Sequence, residues 1–128
     1  MALQRMDHVG IVVEDLAAAT AFFVELGFER QGQGSVDGDW VDRIVGLDGA
    51  RSDFAMLETP DGHGRLELVK FQAPPGPEGD RHAPANTPGL RHLALVVDDI
   101  DATLARLRDH GAELVGEVEQ YREMFRLC

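Results

Sequence analysis

The sequence predicts an α+β fold in which one strand–helix unit is used twice. Its central stretch is His8-Val9-Gly10-Ile11-Val12-Val13-Glu14-Asp15-Leu16, which returns as His92-Leu93-Ala94-Leu95-Val96-Val97-Asp98-Asp99-Ile100 at an offset of 84 residues. The match runs without a gap from His8/His92 to Glu29/Glu113. Eight of those 22 positions are identical, among them His8/His92, Val12/Val96, Asp15/Asp99 and Gly27/Gly111. Each copy passes from an apolar, β-branched run through an aspartate into a helical stripe that stops at glycine. A proline-rich stretch separates the copies. A repeat of this length means one supersecondary unit used twice, and two copies are too few for a solenoid. A pair of modules about a pseudo-twofold axis is the natural arrangement.

The elements follow in order. Residues 7–13 are apolar and bounded by Glu14-Asp15, which predicts a buried strand. Alternation places His8, Gly10 and Val12 on one face and Val9, Ile11 and Val13 on the other. The second face is apolar and suits a helix; the first, with a histidine and a glycine, suits a cavity. Asp15 is a good N-cap for a helix over 16–26, whose stripe is Leu16, Ala19, Phe22, Phe23 and Leu26. Gly27 fits the left-handed position after it. Gly32, Gly34 and Gly38 mark turns in a stretch, 28–50, that has no clear period. Residues 52–57 form a strand with Asp53, Ala55 and Leu57 alternating. Thr59-Pro60-Asp61-Gly62 is a turn. Residues 65–71 are the next strand, with Leu66, Leu68 and Lys70 opposed to Arg65, Glu67, Val69 and Phe71.

Residues 72–89 hold five of the six prolines and lack periodicity, which makes them a linker. The chain therefore divides into a first module at 1–71, the linker, and a second module at 90–128, all one domain. The second module repeats the strand at 91–97, the Asp99 cap, a helix over 100–110 with stripe Ile100, Leu104 and Leu107, and the Gly111 stop. A strand is expected at 113–118, and another begins at Tyr121. The counterpart of Glu67 would fall near position 151, beyond Cys128. The second module is thus expected to lack its last strand, through truncation, disorder or a strand supplied by a partner.

The bulk composition excludes several classes of function. A net charge of −11 argues against nucleic acid and anionic membranes as partners. No apolar run reaches the ~20 residues of a membrane span, and no signal-peptide pattern opens the chain. The one cysteine, Cys128, rules out an internal disulfide framework and has no activating neighbour. A cytoplasmic protein is the expectation.

The candidate chemistry lies in two histidines and a carboxylate. His8 and His92 occupy equivalent points of the repeat, so a pseudo-dyad would bring their imidazoles together. A strand histidine often does no more than bond to backbone, but two such histidines need not fall in register. Glu67 sits in the apolar run Leu66-Glu67-Leu68-Val69, where a carboxylate is paired, metal-bound or at a wet edge. An ion pair with Arg65 is the simple alternative. Two imidazoles and a carboxylate suit a divalent ion such as Zn²⁺, Ni²⁺, Fe²⁺ or Mn²⁺.

These residues resemble a family. The pattern H-[VL]-[GA]-[IL]-V-V-[ED]-D-[LI], a following helix, a Leu-Glu-Leu strand and a second His-strand-helix are similar to the vicinal oxygen chelate superfamily. It contains glyoxalase I, methylmalonyl-CoA epimerase, extradiol dioxygenases, and fosfomycin- and bleomycin-resistance proteins. The resemblance covers residues 6–127. It implies two βαβββ modules forming a cupped mixed sheet around one cavity, a homodimer, and a small-molecule substrate. It also implies that His8, Glu67 and His92 are metal ligands, with a fourth ligand, usually a last-strand glutamate, beyond Cys128.

The set is most similar to that of glyoxalase I. There a metal polarises a carbonyl and stabilises an enediolate, and the last-strand glutamate is often the base. The implied function is a metal-dependent lyase or isomerase acting on a small carbonyl or thioester compound. A metal-free sequestering protein of the bleomycin-resistance type is the first alternative and an extradiol-type dioxygenase the second. The substrate, the metal and the base are not legible. Glu113, Glu117, Glu119 and Glu123 are possible bases but fit a solvated face better. His63 reads as a turn residue, His82 as linker, and His110 as a helix-end cation suited to the dipole. Trp40, Phe54, Met56, Phe71, Tyr121 and Phe125 are core or cavity lining. Arg43, Arg65 and Arg122 are surface charges or contacts for an anionic substrate.

Overall fold

A computed structural model describes residues 2–128. Its centre is a four-stranded mixed sheet with strand order β1-β4-β3-β2. The strands are β1 (Val9–Val12), β2 (Glu29–Asp37), β3 (Arg51–Glu58) and β4 (Arg65–Ala73). β1 runs parallel to β4, with Gly10 opposite Glu67, while β4–β3 and β3–β2 are antiparallel. A parallel neighbour demands a crossover, and helix α1 (Leu16–Leu26) begins that connection.

Alternation sorts the sheet's two faces. Leu57, Leu66 and Leu68 point to one side, where they form the core with Phe28. Val9, Ile11 and the α1 residues Leu16, Ala19, Phe23 and Leu26 pack against them. Phe23 meets both Phe22 and Phe28 edge-on, with ring centroids 5.3 and 5.5 Å apart. The opposite face carries Gly10, Val12 and Glu67 and is open: Val12 is 68% exposed. The expected division of β1 into a helix-facing side and a cavity-facing side is thus realised.

Both predicted helix starts form, as does the first stop at Gly27; the second helix ends at Arg108, two residues before the expected 110, and turns through Asp109 to Gly111. The Asp15 carboxylate accepts from Ala18 N–H at 2.9 Å, and Asp99 accepts from Ala102 N–H at 2.9 Å. Gly27 takes φ +124° and its N–H donates to the Phe23 and Val24 carbonyls. Helix α3 (Ile100–Arg108) buries Leu107 and Thr103 and lies beside α1, where Arg106 meets Glu25 at 3.3 Å. The Thr59–Gly64 turn is closed by Thr59 N–H to the Gly64 carbonyl at 2.8 Å, with Gly62 at φ +75°.

Four expectations need correction. Gly32 and Gly34 are not turns but lie inside β2, after a bulge near Arg30. A Cβ at Gly34 would stand 3.2 Å from the Phe54 ring, so glycine lets that ring lie across the neighbouring strand. Between Gly38 and Gly46 the chain forms a short helix, α2 (Asp39–Val45), that buries Val41. Residues 113–118 form no strand; the ordered pair is a hairpin of β5 (Glu119–Tyr121) and β6 (Phe125–Leu127). Arg126 ties it to Asp101 of α3 at 2.8 Å.

The last correction concerns 91–97. The stretch is neither paired nor buried as a strand; residues 91–96 are exposed. The reason is a missing ladder. β1 is held by β4, whereas among the described residues no strand lies alongside 91–97 to hold it in the same way. A strand without a neighbour leaves its N–H and C=O groups unpaired.

Candidate functional site

The open face of the sheet brings His8 and Glu67 together. His8 stands just before β1, and Glu67 lies in β4 opposite Gly10. A Cβ at Gly10 would meet open space, as this face of the sheet is uncovered there. His8 Nε2 lies 3.4 Å from Glu67 Oε2, and the two side chains are 35% and 30% exposed. Both are reachable from solvent yet partly shielded, a usual setting for a ligand-binding pair.

The other ring nitrogen is also engaged. His8 Nδ1 is 2.8 Å from Asp7 Oδ2. Arg5 Nη1 donates to Asp7 Oδ1 at 2.8 Å, and Arg65 Nη1 approaches Asp7 Oδ2 at 3.5 Å. The His8 hydrogen bond, then the Arg5 hydrogen bond, hold the Asp7 carboxyl below the usual carboxylate range, and the charges of Arg5 and Arg65 add to them. Arg65 therefore pairs with Asp7 and leaves Glu67 to His8, so the simple Arg65–Glu67 pair is not what forms.

His92 does not join this pair within one chain. It lies on the exposed 91–97 segment, and among the described residues no three His, Cys, Asp or Glu side chains gather as a metal group. An imidazole nitrogen and a carboxylate oxygen side by side fit a divalent ion chemically, as two donors of a larger set. A separate groove of about 680 Å³ runs between residues 94–98 and the turn bearing Thr59, Asp61 and His63. It includes neither His8 nor Glu67, and it is the seam where the unpaired segment rests on the first module.

Of the remaining candidates, Met56 lies in β3 directly opposite Glu67, and Phe54 and Phe71 share its face of the sheet. His63 is a turn residue whose N–H donates to Asp61 at 3.0 Å, as expected. His110 sits past the end of α3, 3.9 Å from Glu25. Tyr121 and Phe125 stack on each other across the hairpin at 5.3 Å, with Arg122 over the Tyr121 ring. Trp40 is half exposed on α2. Phe54, Met56 and Phe71 are half-buried in β3 and β4.

This arrangement can be set beside known proteins. Residues 7–128 match the model of the glyoxalase/bleomycin resistance protein/dioxygenase superfamily. The chain belongs to that superfamily. A crystal structure of a glyoxalase family protein from Bacillus cereus superposes with a TM-score of 0.94 at 46% identity, covering 98% of this chain and 87% of that one. The uncharacterized protein YaeR of Escherichia coli is 33% identical over 114 residues, 88% of this chain and 76% of its own. The uncharacterized protein YwkD of Bacillus subtilis is 28% identical over 120 residues, 88% of this chain and 77% of its own. The superfamily spans lyases, isomerases, oxygenases and binding proteins, so membership fixes the scaffold and not the reaction.

The sequence reading missed Asp7. In a strand, neighbouring residues point to opposite faces, so a strand over 7–13 places Asp7 away from His8. The strand begins only at Val9, and Asp7 and His8 are free to meet. Asp7 follows a polar, non-strand start (Gln4-Arg5), the one signal that the strand begins later.

Proposed function

We propose that the chain is a glyoxalase-like, metal-dependent lyase or isomerase acting on a small carbonyl or thioester compound. In this reading His8, Glu67 and His92 hold a divalent ion: Zn²⁺, Ni²⁺, Fe²⁺ or Mn²⁺. The observation that carries it is the facing pair His8 Nε2 and Glu67 Oε2, 3.4 Å apart on the open side of the sheet. A bound ion of this kind supplies a Lewis acid for a substrate oxygen. The chain's own part is to hold the two donors side by side, Glu67 on β4 and His8 just before the neighbouring β1.

His92 enters through assembly. The apolar segment 92–97 is unpaired in one chain, and a homodimer that pairs it brings His92 towards the open face. The modules at 1–71 and 90–128, joined by the 72–89 linker, are the units of that assembly. The absence of a span-length apolar helix among the described residues accords with a cytoplasmic setting.

A second reading is a metal-free binding protein on the same scaffold. One observation favours it: among the described residues no third donor joins the pair. Metal analysis separates the two. The proposal expects close to one Ni²⁺ or Zn²⁺ per chain by mass spectrometry, reduced in His8→Ala, Glu67→Ala and His92→Ala, and turnover of a thiol–aldehyde adduct. Equal metal uptake by wild type and all three variants would count against it.

A further inference from the structure

Two carboxylates compete for one imidazole in this structure. Neutral histidine has a single ring N–H, and which nitrogen carries it is set by the acceptor the other side offers. Asp7 Oδ2 stands 2.8 Å from Nδ1, within the ordinary hydrogen-bond range. Glu67 Oε2 stands 3.4 Å from Nε2, too far for a strong bond. The shorter contact is the one with hydrogen-bond geometry for a ring N–H. Arg5 donates to the other oxygen, Oδ1, at 2.8 Å, and Arg65 approaches Oδ2 itself at 3.5 Å, so two guanidinium groups flank this acceptor.

We infer that Asp7 is a positioning residue: it holds the His8 proton on Nδ1 and so turns a bare Nε2 lone pair towards Glu67. The consequence is a prepared gap. A lone pair and a carboxylate oxygen 3.4 Å apart repel each other unless a cation or a proton donor lies between them. The inference rests on the metal-site reading for its purpose, but the tautomer is a property of the chain itself. Metal-bound histidines commonly have such a carboxylate behind the second nitrogen, and losing it costs about 10–100-fold in metal affinity. Sequence spacing conceals the role here, because Asp7 is the immediate neighbour of His8 and not a residue across the site.

The test is long-range ¹H–¹⁵N correlation of the His8 ring in uniformly labelled, metal-free protein. Spectra are recorded on the alkaline side, where the two ring ¹⁵N shifts distinguish the tautomers. The expected result is an Nδ1–H tautomer in wild type and a shift to mainly Nε2–H in Asp7→Ala. An unchanged backbone amide spectrum shows that the variant is folded. Glu67→Gln is expected to keep Nδ1–H. A wild-type ring in the Nε2–H form would overturn the assignment, whether or not the variant folds; so would a tautomer that Asp7→Ala leaves unchanged.

Zn²⁺ affinity is measured separately on the same samples, with a loss of about 10–100-fold expected in Asp7→Ala. If the tautomer shifts but wild type binds no Zn²⁺, the metal reading fails and the Asp7 assignment stands. If Zn²⁺ binds and the tautomer does not depend on Asp7, the assignment fails alone.

Discussion

Arg65 and Glu67 share a face of β4, yet they take different partners. Arg65 turns to Asp7 and Glu67 to His8. That division leaves the Glu67 carboxylate free of a permanent guanidinium, which would otherwise compete with any bound cation. Glu67→Gln preserves size and removes the charge. It is expected to lower Ni²⁺ or Zn²⁺ affinity by at least tenfold in calorimetric titration while leaving the urea midpoint nearly unchanged, since the side chain is only partly buried.

A second residue-scale prediction concerns Asp53. Its carboxyl is held below the usual range first by the Ser35 hydroxyl and then by the Gln72 amide. A lowered folded-state value means stability present above the ordinary carboxylate value and lost as pH falls through the depressed one. The stability gap between wild type and Asp53→Asn, read by urea denaturation, should therefore be seen at pH 7 and close below about pH 4. A gap that persists unchanged into acid would contradict the assignment.

At the scale of elements, helices and strands differed in how far the sequence disclosed them. Both repeat-related helices formed with the same aspartate cap, because a helix satisfies its hydrogen bonds within its own span. The matching strands did not behave alike. Val9–Val12 found β4, while 91–97 has equal β character but no ladder partner among the described residues. Apolar pattern can report that a segment suits a strand and cannot report whether a neighbour exists. The first-module site half was legible for the same reason: β1 and β4 are both present, and the alternation of 65–71 placed Glu67 opposite the core leucines. α2 stayed hidden because its seven residues span under two turns, too few for a period to show. Removing the caps tests the shared device: Asp15→Ala and Asp99→Ala should each cost about 1 kcal/mol in chemical denaturation.

On the scale of the whole molecule, stability is concentrated in the first module. Leu57 and Leu68 are fully buried between the sheet and α1, and Leu68→Ala should cost roughly 2–5 kcal/mol. The second part holds on through α3 against α1, including the Arg106–Glu25 pair, and it presents Leu90, Leu93, Leu95 and Val96 to solvent. An exposed run of this kind marks a surface that another element covers. Under the homodimer reading, Val96→Asp should shift the chain towards monomer in analytical ultracentrifugation and lower metal uptake with it. Monomer and metal content that do not change would separate assembly from the site.

His8, Glu67 and His92 are proposed to hold one ion together, although among the described residues only the first two are seen to meet. X-ray absorption at the metal edge of the Ni²⁺-loaded protein tests it most directly. The outer-shell scattering of imidazole counts histidines. Two imidazoles in wild type and one in His92→Ala, with oxygen completing the shell, is the result this account predicts. One imidazole in both proteins would contradict it and leave His92 outside the site.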